Sequence, residues 1–138
     1  MGSIGVILLD THAVLWWQAG SERLSATARR TITAAGTILV SPVSFWEIAL
    51  LVAKGRIGLD RDPSVWAQDF LQTERVAVAE LTPTAAVAAA RLPLSGFSGD
   101  PADAFLYATA RERDVPFLSK DERVRAHARS ARDLRVVW

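Results

Sequence analysis

Val6-Ile7-Leu8-Leu9-Asp10-Thr11 runs four apolar residues directly into a carboxylate and a hydroxyl. A short apolar run of this kind suits a buried strand, and the strand is expected over Ile4–Leu9. Similar short runs follow at Thr37–Val40, Val76–Ala79, Pro116–Ser119 and Leu134–Val137. Helices are expected between them at Thr11–Gln18, Ser21–Ala35, Pro42–Ala53, Pro63–Thr73 and Pro83–Arg91. Two more are expected from Asp100-Pro101 to Arg113 and at Asp121–Arg129. Ser41-Pro42 and Thr82-Pro83 supply a cap and a first-turn proline, and Gly36 stops the second helix. Residues 55–63 read as a charged loop, and Leu92–Gly99 as the clearest loop in the chain. Short strands alternating with helices predict an α/β fold with a mainly parallel central sheet of about five strands. Residues 1–138 are expected to form a single domain.

Composition narrows the chemistry. Half of the 138 residues are hydrophobic, enough for a full core at this length. There is no cysteine, which excludes disulfides and thiolate zinc sites. His12 and His127 are the only histidines, too few for a histidine-based zinc site. No apolar stretch reaches the roughly 20 residues of a membrane span, and Met1–Leu9 lacks the marks of a signal peptide. A cytoplasmic protein without membrane contacts is expected. Net charge is +1, so the chain is no generic polyanion binder, yet of 16 basic residues only Lys54 and Lys120 are lysine. Arginine grips phosphates in a bidentate fork that lysine lacks, although a single arginine is as readily a solvated helix residue.

Four acids follow apolar runs or lie inside them: Asp10, Glu47, Asp103 and Asp121. A buried charge persists only when it is paired, hydrogen-bonded or metal-bound. Each acid has an ordinary structural explanation. Asp10 suits a helix cap, Ser44-Phe45-Trp46-Glu47 and Ser119-Lys120-Asp121-Glu122 match capping boxes, and Asp103 favours a helix dipole. Glu47, however, is flanked by bulky apolar residues, and Ser41-Pro42 already starts its helix. Right-handed crossovers bring the carboxyl ends of parallel strands to one edge, where α/β sites form. All four acids fit that edge. Carboxylates converging there suit Mg²⁺, which takes oxygen ligands and keeps several waters. Such a site supports phosphodiester hydrolysis by activated water. Neither a Ser-His-Asp or Cys nucleophile set nor a phosphate-loop glycine pattern is evident.

These segments are similar to those of a known family. Leu8-Leu9-Asp10-Thr11-His12-Ala13-Val14-Leu15-Trp16, Val43-Ser44-Phe45-Trp46-Glu47-Ile48-Ala49 with Lys54-Gly55-Arg56-Ile57, Asp100-Pro101-Ala102-Asp103, and Leu118-Ser119-Lys120-Asp121-Glu122-Arg123 occur in the order of its motifs. Val136-Val137-Trp138 looks like its usual ending. The chain resembles the PIN-domain ribonucleases, in particular the VapC-type toxins of type II toxin–antitoxin pairs. The resemblance implies a PIN-like fold and a Mg²⁺- or Mn²⁺-dependent endoribonuclease. It implies Asp10, Glu47, Asp103 and Asp121 as the catalytic, metal-binding set, with Thr11 and Ser119 as supporting hydroxyls. Asp100 is the alternative ligand to Asp103; here it is expected to cap the helix instead. Arg56 and Arg123 are candidate contacts to the RNA backbone. The implied partners are a structured RNA such as tRNA or rRNA, a VapB-type antitoxin lying across the groove, and a second copy in a homodimer. Two departures bear on substrate contacts: Ala104 replaces an arginine often found after the third acid, and Ser98-Gly99 replaces a basic pair.

Two rival readings remain open. One is a PIN-like binding scaffold that has lost catalysis. The other is a Mg²⁺-binding receiver-type signalling domain, which normally carries paired acids after its first strand; here Thr11-His12 follows Asp10. Trp16, Trp17 and Trp46 are expected in the core or at an interface rather than as base-stacking platforms. His12 reads as a structural residue. Mn²⁺ titration separates the rivals: the nuclease reading expects saturable binding, whereas a scaffold need not bind Mn²⁺.

Overall fold

A computed structural model describes residues 5–138. Five strands form one parallel sheet in the order β3-β2-β1-β4-β5, from Val6–Leu9 (β1), Thr37–Val40 (β2), Val76–Val78 (β3), Phe117–Leu118 (β4) and Val136–Val137 (β5). Seven α-helices cover it among the described residues: Thr11–Gln18 (α1), Ala26–Ala34 (α2), Pro42–Ala53 (α3), Pro63–Leu71 (α4), Pro83–Arg91 (α5), Pro101–Arg113 (α6) and Glu122–Ala131 (α7). The expected α/β fold with a five-stranded parallel sheet is therefore the one observed. Ile4, expected to open the first strand, lies outside the described residues.

Alternation along each strand sends successive side chains to opposite faces, and here both faces are apolar. Leu8, Leu39 and Phe117 pack under α5, α6 and α7 with Ala85, Ala89, Leu106, Tyr107 and Val124. Ile7, Leu9, Ile38, Val40 and Leu118 pack on the other side with Val14, Ile32, Ile48, Trp66 and Phe70. That explains why the strands read as continuous apolar runs. Alanines at Ala85, Ala89, Ala104 and Ala108 let α5 and α6 lie close to the sheet and to each other.

Several expected boundaries shift for local reasons. The second helix begins at Ala26, because Ser25 caps it by accepting from the Ala28 N–H at 3.0 Å. Ser21 instead turns the chain by accepting from the Arg23 N–H at 3.1 Å. Leu92–Gly99 is not all loop: Leu92–Ser95 forms a 3-10 turn, ended by Gly96 at φ 99°. A Cβ on Gly99 would lie 2.5 Å from the Phe97 ring, so a larger residue here would require the ring to move. Ala104 is buried in the core.

Burial ranks the cost of substitution. Leu8→Ala, at a fully buried position of the central strand, is expected to cost roughly 2–5 kcal/mol in urea unfolding. Leu94→Ala, at 87% exposure, is expected to stay within about 0.5 kcal/mol.

Candidate functional site

The chain reverses its winding about β1. It steps outward through β2 and β3, then returns to place β4 on the other flank of β1. Ligands in open parallel sheets bind beyond the carboxyl ends of strands at such a switch point. Asp10 stands there, directly after β1, with its backbone N–H donating to the Leu118 carbonyl of β4 at 3.0 Å. Its carboxylate accepts from the Ala13 N–H at 2.8 Å, so it caps α1 while remaining buried. The capping explanation for Asp10 is thus correct, and it leaves the carboxylate at the cavity.

The other acids arrive from three helices. Ser41 caps α3 by accepting from the Val43 N–H at 3.1 Å, which sets Glu47 in an inner turn and rules out the Ser44–Glu47 capping box. Asp103 lies in the first turn of α6. Asp121 caps α7, accepting from the Arg123 and Val124 N–H groups at 2.9 and 3.1 Å. Ser119 accepts from the Asp121 N–H at 3.2 Å, so the expected Ser119–Glu122 capping box does not form. Asp100 corrects another expectation. It occupies the position before α6 but its side chain makes no capping bond. Its carboxylate is exposed and faces Arg123 at 3.5 Å.

Asp10, Glu47, Asp103 and Asp121 all line one cavity of about 380 Å³, together with Thr11, His12, Trp16, Asp100, Lys120 and Arg123. A larger cavity of about 680 Å³, between α5 and α6, contains none of the four acids. Arg56 lies outside the acidic cavity, in an adjoining cleft. Thr11 and Ser119 are buried; the Thr11 hydroxyl donates to Ser44 Oγ at 3.1 Å, and Ser119 hydrogen-bonds Asp10. Lys120, Trp16 and Ser44 were not singled out for the site by sequence. The Lys120 ammonium sits 5.5 Å from the Trp16 ring. His12 is exposed, 5.4 Å from the same ring, rather than packed as a structural histidine.

The acids hold more negative charge than the cations beside them neutralise. Burial pushes the Asp103 carboxyl up to about 7, and the charges of Asp121, Asp10, Glu47 and Asp100 push the same way. Burial raises Asp10 to about 6, against hydrogen bonds from Ala13 and Ser119 and the charge of His12. Burial would also raise Asp121, but Arg123 and two backbone N–H groups outweigh it and hold it below the usual range. Among the described residues, no three Asp, Glu, His or Cys side chains are near enough to clasp one ion directly. A hard divalent cation does not require that, since Mg²⁺ keeps several waters and takes one or two carboxylates. The all-oxygen donors and the surplus charge fit such a cation.

These shifts have a sign. Asp10 and Asp103 have ordinary values of 3.8. Stability from keeping them neutral is present at low pH and lost as pH rises through about 6 and about 7. The lowered acids Asp121 and Asp133 act below this window. In chelator, the melting temperature is expected to fall by roughly 3–6 °C from pH 5 to pH 8. Asp103→Asn should remove much of that fall; an equal fall in the variant contradicts the assignment.

Comparison with known proteins adds to this geometry. Residues 7–130 match the model of the PIN domain. The chain is 40% identical over 121 residues to Ribonuclease VapC22 of Mycobacterium tuberculosis, covering 88% of this chain and 91% of that protein. Its fold is shared with the sarcin-ricin loop cleaving toxin VapC20 of the same organism, at TM-score 0.66 and 21% identity, over 87% of this chain and 93% of that one. It is shared also with a chain of the DNA-bound VapBC2 complex of Rickettsia felis, at TM-score 0.64 and 11% identity, over 95% and 96%.

Proposed function

The chain belongs to the PIN domain family, and we propose that it is a divalent-metal-dependent endoribonuclease acting as the toxin of a toxin–antitoxin pair. One observation carries the reading: four acids from separate elements share one cavity at the switch point of a parallel sheet. The relative at 40% identity is a ribonuclease by name, and the reaction class suits the donor set. The rival readings have less behind them. A scaffold has no use for surplus charge that destabilises the fold near neutral pH, and a receiver domain would not carry an acid such as Glu47 on a helix.

In this reading Asp10, Glu47, Asp103 and Asp121 are the residues that would hold Mg²⁺ or Mn²⁺. The ion would supply Lewis-acid polarisation of a phosphate oxygen and a lowered pKa for an attacking water. Ser119 and Ala13 hydrogen-bond the Asp10 carboxylate and fix its orientation. Thr11, tied to Ser44, lines the cavity. Arg123, 3.2 Å from Asp121 and 3.5 Å from Asp100, is the cation at the cavity that would meet a phosphate oxygen of the RNA. Arg56 meets the backbone farther along. Neither Thr11 nor Ser119 is needed as a nucleophile.

We place the protein in the cytoplasm as one domain spanning residues 1–138, acting on a structured RNA such as tRNA or rRNA. No helix among the described residues is long and apolar enough to cross a membrane. A VapB-type antitoxin is the proposed inhibitor and a second copy the proposed dimer partner. Asp10→Asn should lower Mg²⁺-dependent RNA cleavage by about 10²–10³-fold or more, on the scale of losing a charge-stabilising group, without unfolding the chain. Cleavage by the purified, antitoxin-free protein that is untouched by Asp10→Asn or by chelator would contradict the assignment.

A further inference from the structure

The helix that carries Glu47 exposes the residue before it. Trp46 is 60% exposed, the most exposed of the large aromatics. The other tryptophans are covered by aromatic neighbours: Trp66 stacks on Phe70 at 5.4 Å, Trp17 meets Phe70 at 5.9 Å, and Trp16 meets Trp138 at 5.7 Å. Among the described residues Trp46 has no aromatic partner. Of the expected core or interface placement, the core half does not hold for Trp46.

Trp46 lines a cleft of about 210 Å³ with Leu50, Lys54, Arg56 and Pro101, and this cleft shares Glu47 and Asp100 with the acidic cavity. The two spaces therefore meet along one wall. The cleft is smaller than the roughly 300–1,000 Å³ typical of small-molecule sites, so it suits one planar ring rather than a whole ligand. Lys54 and Arg56 stand exposed at its edge, and among the described residues neither forms an ion pair. An open aromatic face beside two free cations is complementary to a nucleotide. The base can stack while the phosphate meets the cations. A purely apolar peptide would leave both cations unanswered.

We propose that Trp46 is a stacking platform for an unpaired RNA base next to the phosphate held at the acidic cavity, with Lys54 and Arg56 gripping the flanking phosphate. The inference rests on the ribonuclease reading and deepens it. It requires a single-stranded or looped target, because bases inside a helix are already stacked. Recognition by stacking tolerates any base, so this subsite favours unpaired structure over sequence.

The test measures binding of a fluorescently labelled single-stranded RNA decamer by anisotropy, in the Asp10→Asn background so that bound RNA stays whole. Trp46→Ala is expected to weaken binding roughly 5- to 100-fold, the range for one lost base stack. Trp46→Phe should restore most of it. Arg56→Ala should weaken binding and reduce the slope of log affinity against log salt by about 1. Mn²⁺ affinity, measured with Asp10 intact, should be unchanged in all three. If wild-type protein cuts RNA while Trp46→Ala binds the decamer normally, the stacking site is overturned and the nuclease reading survives. If Trp46→Ala instead abolishes self-association in sedimentation with RNA affinity unchanged, the face is an interface between copies and the proposal is likewise overturned. If the wild type neither binds nor cuts RNA, both readings fall.

Discussion

A carboxylate at the end of the central strand, Asp10, is the constraint around which the site is arranged. It is buried beside the fully buried Leu9 and would be costly to ionise there without partners. The chain answers with the Ala13 N–H, the Ser119 hydroxyl and the nearby charge of His12. Even so, its proton affinity stays raised. Ordinary helix capping would have relaxed the group fully. What remains is an acid held in place and only partly compensated.

Topology extends that single position into a constellation. Because the sheet is parallel and winds both ways from β1, the segments following β1, β2 and β4 open on one edge. Asp10, the helix bearing Glu47, and Asp121 come from those three segments, and α6 adds Asp103 just before β4. Two of the four acids are also helix caps. Capping and site formation are therefore compatible: the cap fixes the carboxylate with one face and leaves the other toward the cavity. The same dual use explains why Asp10 and Asp121, viewed alone in the sequence, have a commonplace explanation.

Much of this was legible in the sequence. Thr11–Gln18, Thr37–Val40, Pro42–Ala53 and Pro83–Arg91 form with the expected bounds, because apolar runs, caps and first-turn prolines act locally. What escaped depends on contacts made elsewhere. Ser21 and Ser25 are both good caps, but the helix starts after Ser25, with Leu24 buried between them. Asp100 has the sequence of a cap, yet its carboxylate turns to Arg123, three elements later in the fold. Trp46 reads as core in an apolar run, but the helix buries Ser44 and Ile48 instead. Lys120 and Trp16 reach the cavity only because β4 lies beside β1. Helical phase and strand order, which sequence left open, account for most of the differences.

Burial raises the proton affinities of Asp10 and Asp103, and we propose that their cavity binds a divalent cation. Calorimetric titration of Mn²⁺ near pH 7, repeated in buffers of different ionisation enthalpy, tests it most directly. The account expects saturable binding with release of a fraction of a proton per ion, because Asp103 sits at about 7 before binding. It also expects Asp103→Asn to weaken the binding and abolish most of that proton release. Absence of saturable binding, or binding with no proton release that Asp103→Asn leaves unchanged, would contradict it.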